Sequence, residues 1–346
     1  MNNMERGTVV IGQIGSGYWG PNVAGSFKST GRAAIKWICD LRPESRDAFK
    51  ARHPDTQATD QIGDVLGDPE VDAVAIVTPT VTHYAITKQA LEMGKHVLVE
   101  KPITTDVAEA AGLAALAEER GLVLMVGHVF QYNASILALK DLISQGELGK
   151  VNYLNLERTN LGPVRTDVNA LWDLVSHDAY IMVDLLGEAP VAVSAIGRAY
   201  LNESVEDVVF ATFFFESGAV SHVHASWLNP RKVRQITVVG SQKMAIWDDL
   251  NLKEPICIYD KRVEQPKMQD LEGSFMEYKT LAVDGGTFSP RIQLNEPLQS
   301  ECEHFLDCIA DGARPWSDGY SGVTVVKALI AAGKSMRSGG AMTKID

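Results

Sequence analysis

Short apolar runs alternate with stretches of helical period over residues 1–127. This is the pattern of successive βαβ units and a parallel sheet. Residues 8–14 form an apolar run ending in a glycine-rich turn, and 33–39 form a second, followed by a helical stretch at 42–51. The run 71–77 (VDAVAIV) reads as a buried central strand, with a helix over 83–93 after it. A short strand at 96–99, an alanine-rich helix at 105–120 and a strand at 123–126 complete the set, and Gly94 and Gly121 sit where two of the helices must stop. The reading is α/β, a doubly wound parallel sheet.

From 128 onward the texture changes. A helix is predicted over 135–145, then strands over 151–160, 191–200, 208–215, 219–227, 234–239 and 243–247. Glu216, Ser217 and Gly218 join two of these as a compact hairpin, and Gly240, Ser241 and Gln242 join another pair. Hairpins impose antiparallel pairing, so residues 128–346 read as an α+β domain with a large, mainly antiparallel open sheet and helices on one face. Phe210, Phe213, Phe214 and Phe215 place apolar side chains on both faces of that sheet. The second face therefore needs cover, which a sheet-to-sheet contact in a homo-oligomer, dimer or tetramer, would supply. Residues 250–290 are polar and irregular and give no assignment, while 297–309 and 322–337 read as two C-terminal helices, available to pack back against the first domain.

Composition narrows the function classes. Thirty-two basic against 44 acidic residues give a net charge of −12, which argues against a non-specific hold on nucleic acid or an anionic membrane. Cys39, Cys257, Cys302 and Cys308 lack C-x-x-C spacing, so neither a zinc site nor a disulfide framework is expected. His222 and His224 occupy alternate strand positions and read as sheet residues, with no metal site expected. No apolar run reaches membrane-spanning length, and MNNMERGTVV has no signal-peptide core, so a cytoplasmic location is expected.

Gly15, Gly17 and Gly20 spell G-x-G-x-x-G between a predicted strand and a predicted helix. The first glycine permits a tight turn, the second lets a pyrophosphate approach the backbone, and the third lets helix and strand pack closely. Ser16, Tyr18 and Trp19 lie in the same loop. Asp40, twenty positions beyond Gly20 at the end of the second strand, is placed to accept ribose hydroxyls. A carboxylate there repels a 2′-phosphate, so the expected cofactor is NAD. Arg42 could hold such a phosphate, but a solvated first-turn residue is the plainer reading.

Further motifs make a wider resemblance. Val77-Thr78-Pro79-Thr80 with His83, Gly94-Lys95-His96-Val97, and Glu100-Lys101-Pro102 resemble the glucose–fructose oxidoreductase/inositol dehydrogenase/MocA-type family. The resemblance implies that Thr78, Pro79, Thr80, His83, Glu100 and Lys101 line the cofactor, and that Lys101 is also catalytic. Lys101 ends a parallel strand, where open α/β sheets form their ligand crevice. Pro102 disfavours the helical region at Lys101.

In the second domain the segment 158–178 is the informative one. Asp173 and His177 are four apart and would share one face of a helix. The resemblance puts such a pair beside the E-K-P lysine, with His177 the natural base, Asp173 to orient it or share the proton, and Lys101 to polarise the alkoxide or itself take the proton, as family members differ on this. The wording from Arg158 to His177 is similar to the family branch that oxidises the 3-hydroxyl of UDP-N-acetylglucosaminuronic acid, on the way to bacterial surface polysaccharide sugars. That substrate carries two phosphates and a carboxylate. Arg158, Asn160, Arg165, Asn169 and Trp172, with Arg231 in a loop shared with Lys232 and Arg234, are the expected substrate-binding residues. The alternatives are an NADPH-dependent nucleotide-sugar ketoreductase, a polyol or inositol dehydrogenase, and a non-catalytic dinucleotide-binding regulator.

Overall fold

A computed structural model describes residues 7–166, 168–203, 205–264 and 281–346. The chain divides into two compact units, Met1–Asn133 with Asn295–Ile330, and Ala134–Leu294 with Ala331–Asp346.

The first unit opens with β1 (Val9–Ile14), α1 (Gly20–Ser29), β2 (Ala33–Cys39), α2 (Pro43–Arg52), β3 (Gln57–Thr59) and α3 (Ile62–Leu66). It continues through β4 (Ala73–Ile76), α4 (His83–Glu92), β5 (His96–Glu100), α5 (Val107–Arg120) and β6 (Leu124–Gly127). The described strands form one parallel sheet in the order β3-β2-β1-β4-β5-β6. Every residue of β4 and β6 is buried, which is why these strands read as unbroken apolar runs. Strand order reverses between β1 and β4, so the carboxyl ends of these two strands flank the crevice where such sheets bind ligands. Helix α5 is bounded by its own sequence: the Asp106 carboxylate accepts from the Glu109 N–H at 3.0 Å, and Gly121 ends it at φ +64°.

The second unit holds α6 (Ala134–Ser144), β7 (Val151–Leu161), α7 (Ser176–Leu186), β8 (Pro190–Arg198), β9 (Val208–Phe215), β10 (Val220–Ser226), β11 (Leu228–Gly240), β12 (Met244–Asp248), β13 (Ile256–Glu264) and β14 (Leu281–Phe288). The chain then supplies α8 (Pro297–Asp311) to the first unit, α9 (Gly319–Arg337), and β15 (Thr343–Lys344) to the second. The sheet order is β14-β13-β12-β11-β7-β10-β9-β8-β15. All its pairs are antiparallel except β7 with β10. Along β9 the alternation is clear: Val209, Ala211, Phe213 and Phe215 are buried, while Phe210 between them is 45% exposed. Helices α6 and α7 pack on β12 and β7.

Two features depart from the sequence reading. Strand β11 begins at Leu228, not 234, because β7 runs on to Leu161 and pairs with it. Arg231, Lys232 and Arg234 therefore ride on a strand with a register irregularity between Leu228 and Val233, not in a loop. Strands β13 and β14 occupy the ends of the stretch 250–290 that gave no assignment, whose middle, 265–280, lies outside the described residues. Helix α8 packs on α1, where Phe305 meets Phe27 edge-on at 6.1 Å within the core of the first unit. No helix among the described residues is long and apolar enough to cross a membrane.

Candidate active site

The glycine loop after β1 is shaped by sterics. Gly15 has φ +96°, and a Cβ there would lie 2.5 Å from the Val77 carbonyl oxygen, so only glycine fits. A Cβ on Gly20 would lie 2.9 Å from the Gly15 oxygen. Gly17 differs, because its Cβ would meet nothing nearer than the Arg42 guanidinium at 3.8 Å. Its bare backbone is the surface a pyrophosphate needs, at the amino end of α1. Buried Gln13 ties the loop together, its Nε2 donating to the oxygens of Gly15 (2.9 Å) and Gly20 (3.0 Å). Sequence reasoning passed over Gln13; the signal was an amide inside an otherwise apolar strand.

Asp40 reaches the same loop. Its carboxylate accepts from the Ser16 N–H at 2.8 Å, the Arg42 N–H at 2.9 Å and Arg42 Nε at 3.3 Å. Burial pushes its pKa up, but these donors outweigh burial and hold it below the usual carboxylate value. Arg42 is thus engaged with Asp40 while more than half exposed. Loop, helix start and acid all fit a dinucleotide. Tyr18, in contrast, is 95% exposed.

At the end of β5 the Glu100 carboxylate accepts the Trp19 indole N–H at 2.7 Å and the Lys101 N–H at 3.3 Å. It lies over Gly127, where a Cβ would come within 3.1 Å of it. This bond ties the strand end carrying Lys101 to the glycine loop carrying Trp19. Desolvation raises the Glu100 pKa to about 7, against the pull of the Lys101 charge and the Trp19 bond. Buried Glu301 of α8 is also raised, by burial and then by Glu100. His128, buried after β6, is pushed down to about 3 by burial and then by the Lys101 charge, so it is a neutral imidazole. Neither Glu301 nor His128 stood out in the sequence, since each gains meaning only from Glu100 and Lys101 beside it.

The turn after β4 brings Thr78, Pro79 and Thr80 to the switch point, with Thr82 Oγ1 donating to Thr78 Oγ1 at 2.7 Å. His83 is buried, with both ring nitrogens against backbone carbonyls, so it faces inward.

In the second unit Asp173 lies on a π-helical turn, Leu171–Val175, which runs into α7 carrying half-buried His177. The four-residue spacing suggested one regular helix; a π turn has no sequence mark here, although such turns gather at functional sites. The Asp173 carboxylate accepts Arg165 Nη1 at 3.3 Å and the Trp227 indole N–H at 3.1 Å. Arg165, 37% exposed, thus reaches Asp173.

Arg158 is 3% exposed, and its Nε and Nη2 donate to the Asp178 carboxylate at 2.9 and 2.7 Å, so this pair is internal. Asn169 lies just before the π turn, accepting the Trp172 N–H at 3.2 Å and donating to Glu206 at 2.8 Å. Asn160 donates to the Gly162 oxygen. Trp172 is half-buried, so its ring is not core. Arg231 and Lys232 are exposed and line a cavity of about 330 Å³ with Gln235, Asp248 and Asn251, while Arg234 is paired with Asp249 at 2.6 Å. His224 stacks on Phe210 in the sheet, and no metal-binding cluster occurs among the described residues.

Residues 9–128 match the model of an oxidoreductase family with an NAD-binding Rossmann fold, and 136–246 match the GFO/IDH/MocA C-terminal domain. The chain is 30% identical to UDP-N-acetylglucosamine 3-dehydrogenase from Acidithiobacillus ferrooxidans over 95% of its length and 96% of that protein. A solved structure of that enzyme superposes with a TM-score of 0.80, covering 96% of this chain and 98% of that one at 27% identity. The NAD(+)-dependent scyllo-inositol 2-dehydrogenase of Bacillus subtilis is 28% identical over 80% of this chain and 78% of that protein. The chain belongs to the GFO/IDH/MocA family of oxidoreductases.

Proposed function

We propose that this protein oxidises the 3-hydroxyl of a UDP-linked N-acetylated amino sugar with NAD, in a cytoplasmic pathway to surface polysaccharide sugars. The uronic acid form is the preferred substrate. One observation carries the chemistry: the Trp19–Glu100 bond joins the dinucleotide loop to the strand end that bears Lys101. The similarity to a UDP-N-acetylglucosamine 3-dehydrogenase over nearly the full chain supports the sugar class. The exposed cations Arg231 and Lys232 support an anionic substrate in a chain of net charge −12.

Asp40 and the bare backbone at Gly17 hold the dinucleotide, and Thr78, Pro79 and Thr80 line it. Bound NAD supplies a hydride acceptor for the carbinol carbon. His177 removes the hydroxyl proton, and the Lys101 ammonium stabilises the developing alkoxide. Asp173, anchored by Arg165 and Trp227, positions the base.

NADH formation measured across UDP-sugars with and without a 6-carboxylate, and across free polyols, tests the reading. Turnover with UDP-linked N-acetyl sugars, fastest with the carboxylate, is expected; turnover with free polyols alone overturns it. The polyol reading has one observation in its favour, the internal Arg158–Asp178 pair, which removes a cation from the expected substrate set. Lys101→Ala and His177→Ala should each lower kcat by about 10²–10⁴-fold with NADH affinity little changed. Near-normal turnover in either variant removes that residue from the mechanism. We also assign the outer face of the nine-stranded sheet to contact with a second copy of the chain.

A further inference from the structure

His83 stands at the first position of α4 and is 1% exposed. Its Nδ1 lies 2.8 Å from the Pro102 carbonyl oxygen and its Nε2 lies 2.9 Å from the Thr78 carbonyl oxygen. The two carbonyls belong to different turns. Thr78 follows β4 and opens the turn Thr78-Pro79-Thr80, while Pro102 follows Lys101 at the end of β5. Neighbouring parallel strands fix these turns only as far as the sheet extends; β4 and β5 pair from Ala73–His96 up to Ile76–Val99 and no further. Beyond that register the imidazole is a side-chain bridge between them. Both carbonyls can only accept, so a neutral ring donates to one of them at a time and the imidazolium to both. Burial opposes that charge and lowers the pKa, and the two backbone contacts oppose burial.

We infer that His83 is a positioning residue, a buried strut that sets the spacing between the Thr78 turn and the Lys101–Pro102 turn. The inference rests on the functional reading above for its consequence in catalysis, but not for the strut itself. A lysine that must meet a developing alkoxide within a few tenths of an ångström cannot be placed by a mobile turn. The strut therefore acts on two different parameters through two different contacts. The Nε2 side governs the turn proposed to line the dinucleotide. The Nδ1 side governs the residue next to Lys101.

Asparagine and glutamine separate the two. In His83→Asn the new amide nitrogen falls near the position of Nδ1, and in His83→Gln it falls near that of Nε2. Hydrogen exchange on the ligand-free protein reads the strut directly. His83→Asn should expose peptides covering 78–82 about fivefold faster while leaving 101–104 near the wild type, and His83→Gln should do the reverse. His83→Leu should loosen both. In turnover, His83→Gln should lower kcat about fivefold or more with NADH affinity nearly unchanged, whereas His83→Asn should weaken NADH binding by a similar factor with kcat nearly unchanged. Equal effects of the Asn and Gln substitutions on both peptides and both parameters overturn the strut, even if His83→Leu fails to fold. Failure of wild-type protein to bind NADH, with the exchange pattern as expected, overturns the functional reading and leaves the strut standing.

Discussion

Glu100 couples charge, burial and position in one side chain. Its pKa of about 7 in the folded protein stands above the ordinary glutamate value of 4.5 because the carboxyl has lost its water. An acid raised on folding prefers to stay protonated in the native state. Its contribution to stability is therefore complete below pH about 4.5 and is lost as pH rises through about 7. Glu100→Gln keeps an oxygen for the Trp19 indole but cannot ionise. The variant should gain stability relative to the wild type between those two pH values, read as diverging urea midpoints. Midpoints that run parallel across this range count against a buried, titrating Glu100.

Arg158 gives a second case at this scale. Removing the guanidinium leaves the Asp178 carboxylate buried without it, so Arg158→Ala should cost about 3–5 kcal/mol in urea unfolding. A loss of substrate affinity with stability unchanged restores Arg158 to the substrate site. The sequence displayed Gly15, Asp40 and Lys101 plainly, because each is defined by local chain geometry. It did not display the Arg158 pairing, because a charge in a sequence does not reveal that Asp178, twenty positions on, sits against it in the fold.

Among the elements, legibility followed burial. Strands β4 and β6 are covered on both faces and announce themselves as apolar runs. Strand β11 carries Asn229, Pro230, Arg231 and Lys232 at one end, and composition hid its first turn of pairing with β7. The parallel pair β7–β10 inside an otherwise antiparallel sheet joins strands far apart in sequence, which hairpin signals cannot report. Gly15→Ala forces a side chain into φ +96° and against Val77, so it should destabilise the fold and abolish NADH binding together. Gly17→Ala meets only the Arg42 guanidinium at an ordinary contact distance and should leave the melting temperature within about 2 °C of the wild type while weakening NADH at least tenfold. Equal destabilisation by both variants contradicts the distinction between a glycine the fold needs and a glycine the ligand needs.

At the scale of the whole molecule, the return of residues 295–330 to the first unit had no sequence signature beyond two amphipathic helices, since the surface that α8 covers is built by α1. The outer face of the second sheet poses the opposite problem, an apolar surface left open to solvent. Phe210 and Ile196 are opposite one another in register, each 45% exposed, and Tyr153 is 47% exposed on β7. Exposed apolar groups on this face suit the second-copy contact proposed above. Two chains of charge −12 repel at long range, so the apolar contact must outweigh that repulsion, and salt, which screens it, should strengthen assembly. Sedimentation at about 10 µM should therefore give a dimer or tetramer, shifted toward the larger species as salt rises. Phe210→Glu should yield monomers that still bind NADH, because the glycine loop lies in the other unit. A wild-type monomer at every salt concentration, or a Phe210→Glu protein of unchanged mass, assigns that face to solvent instead.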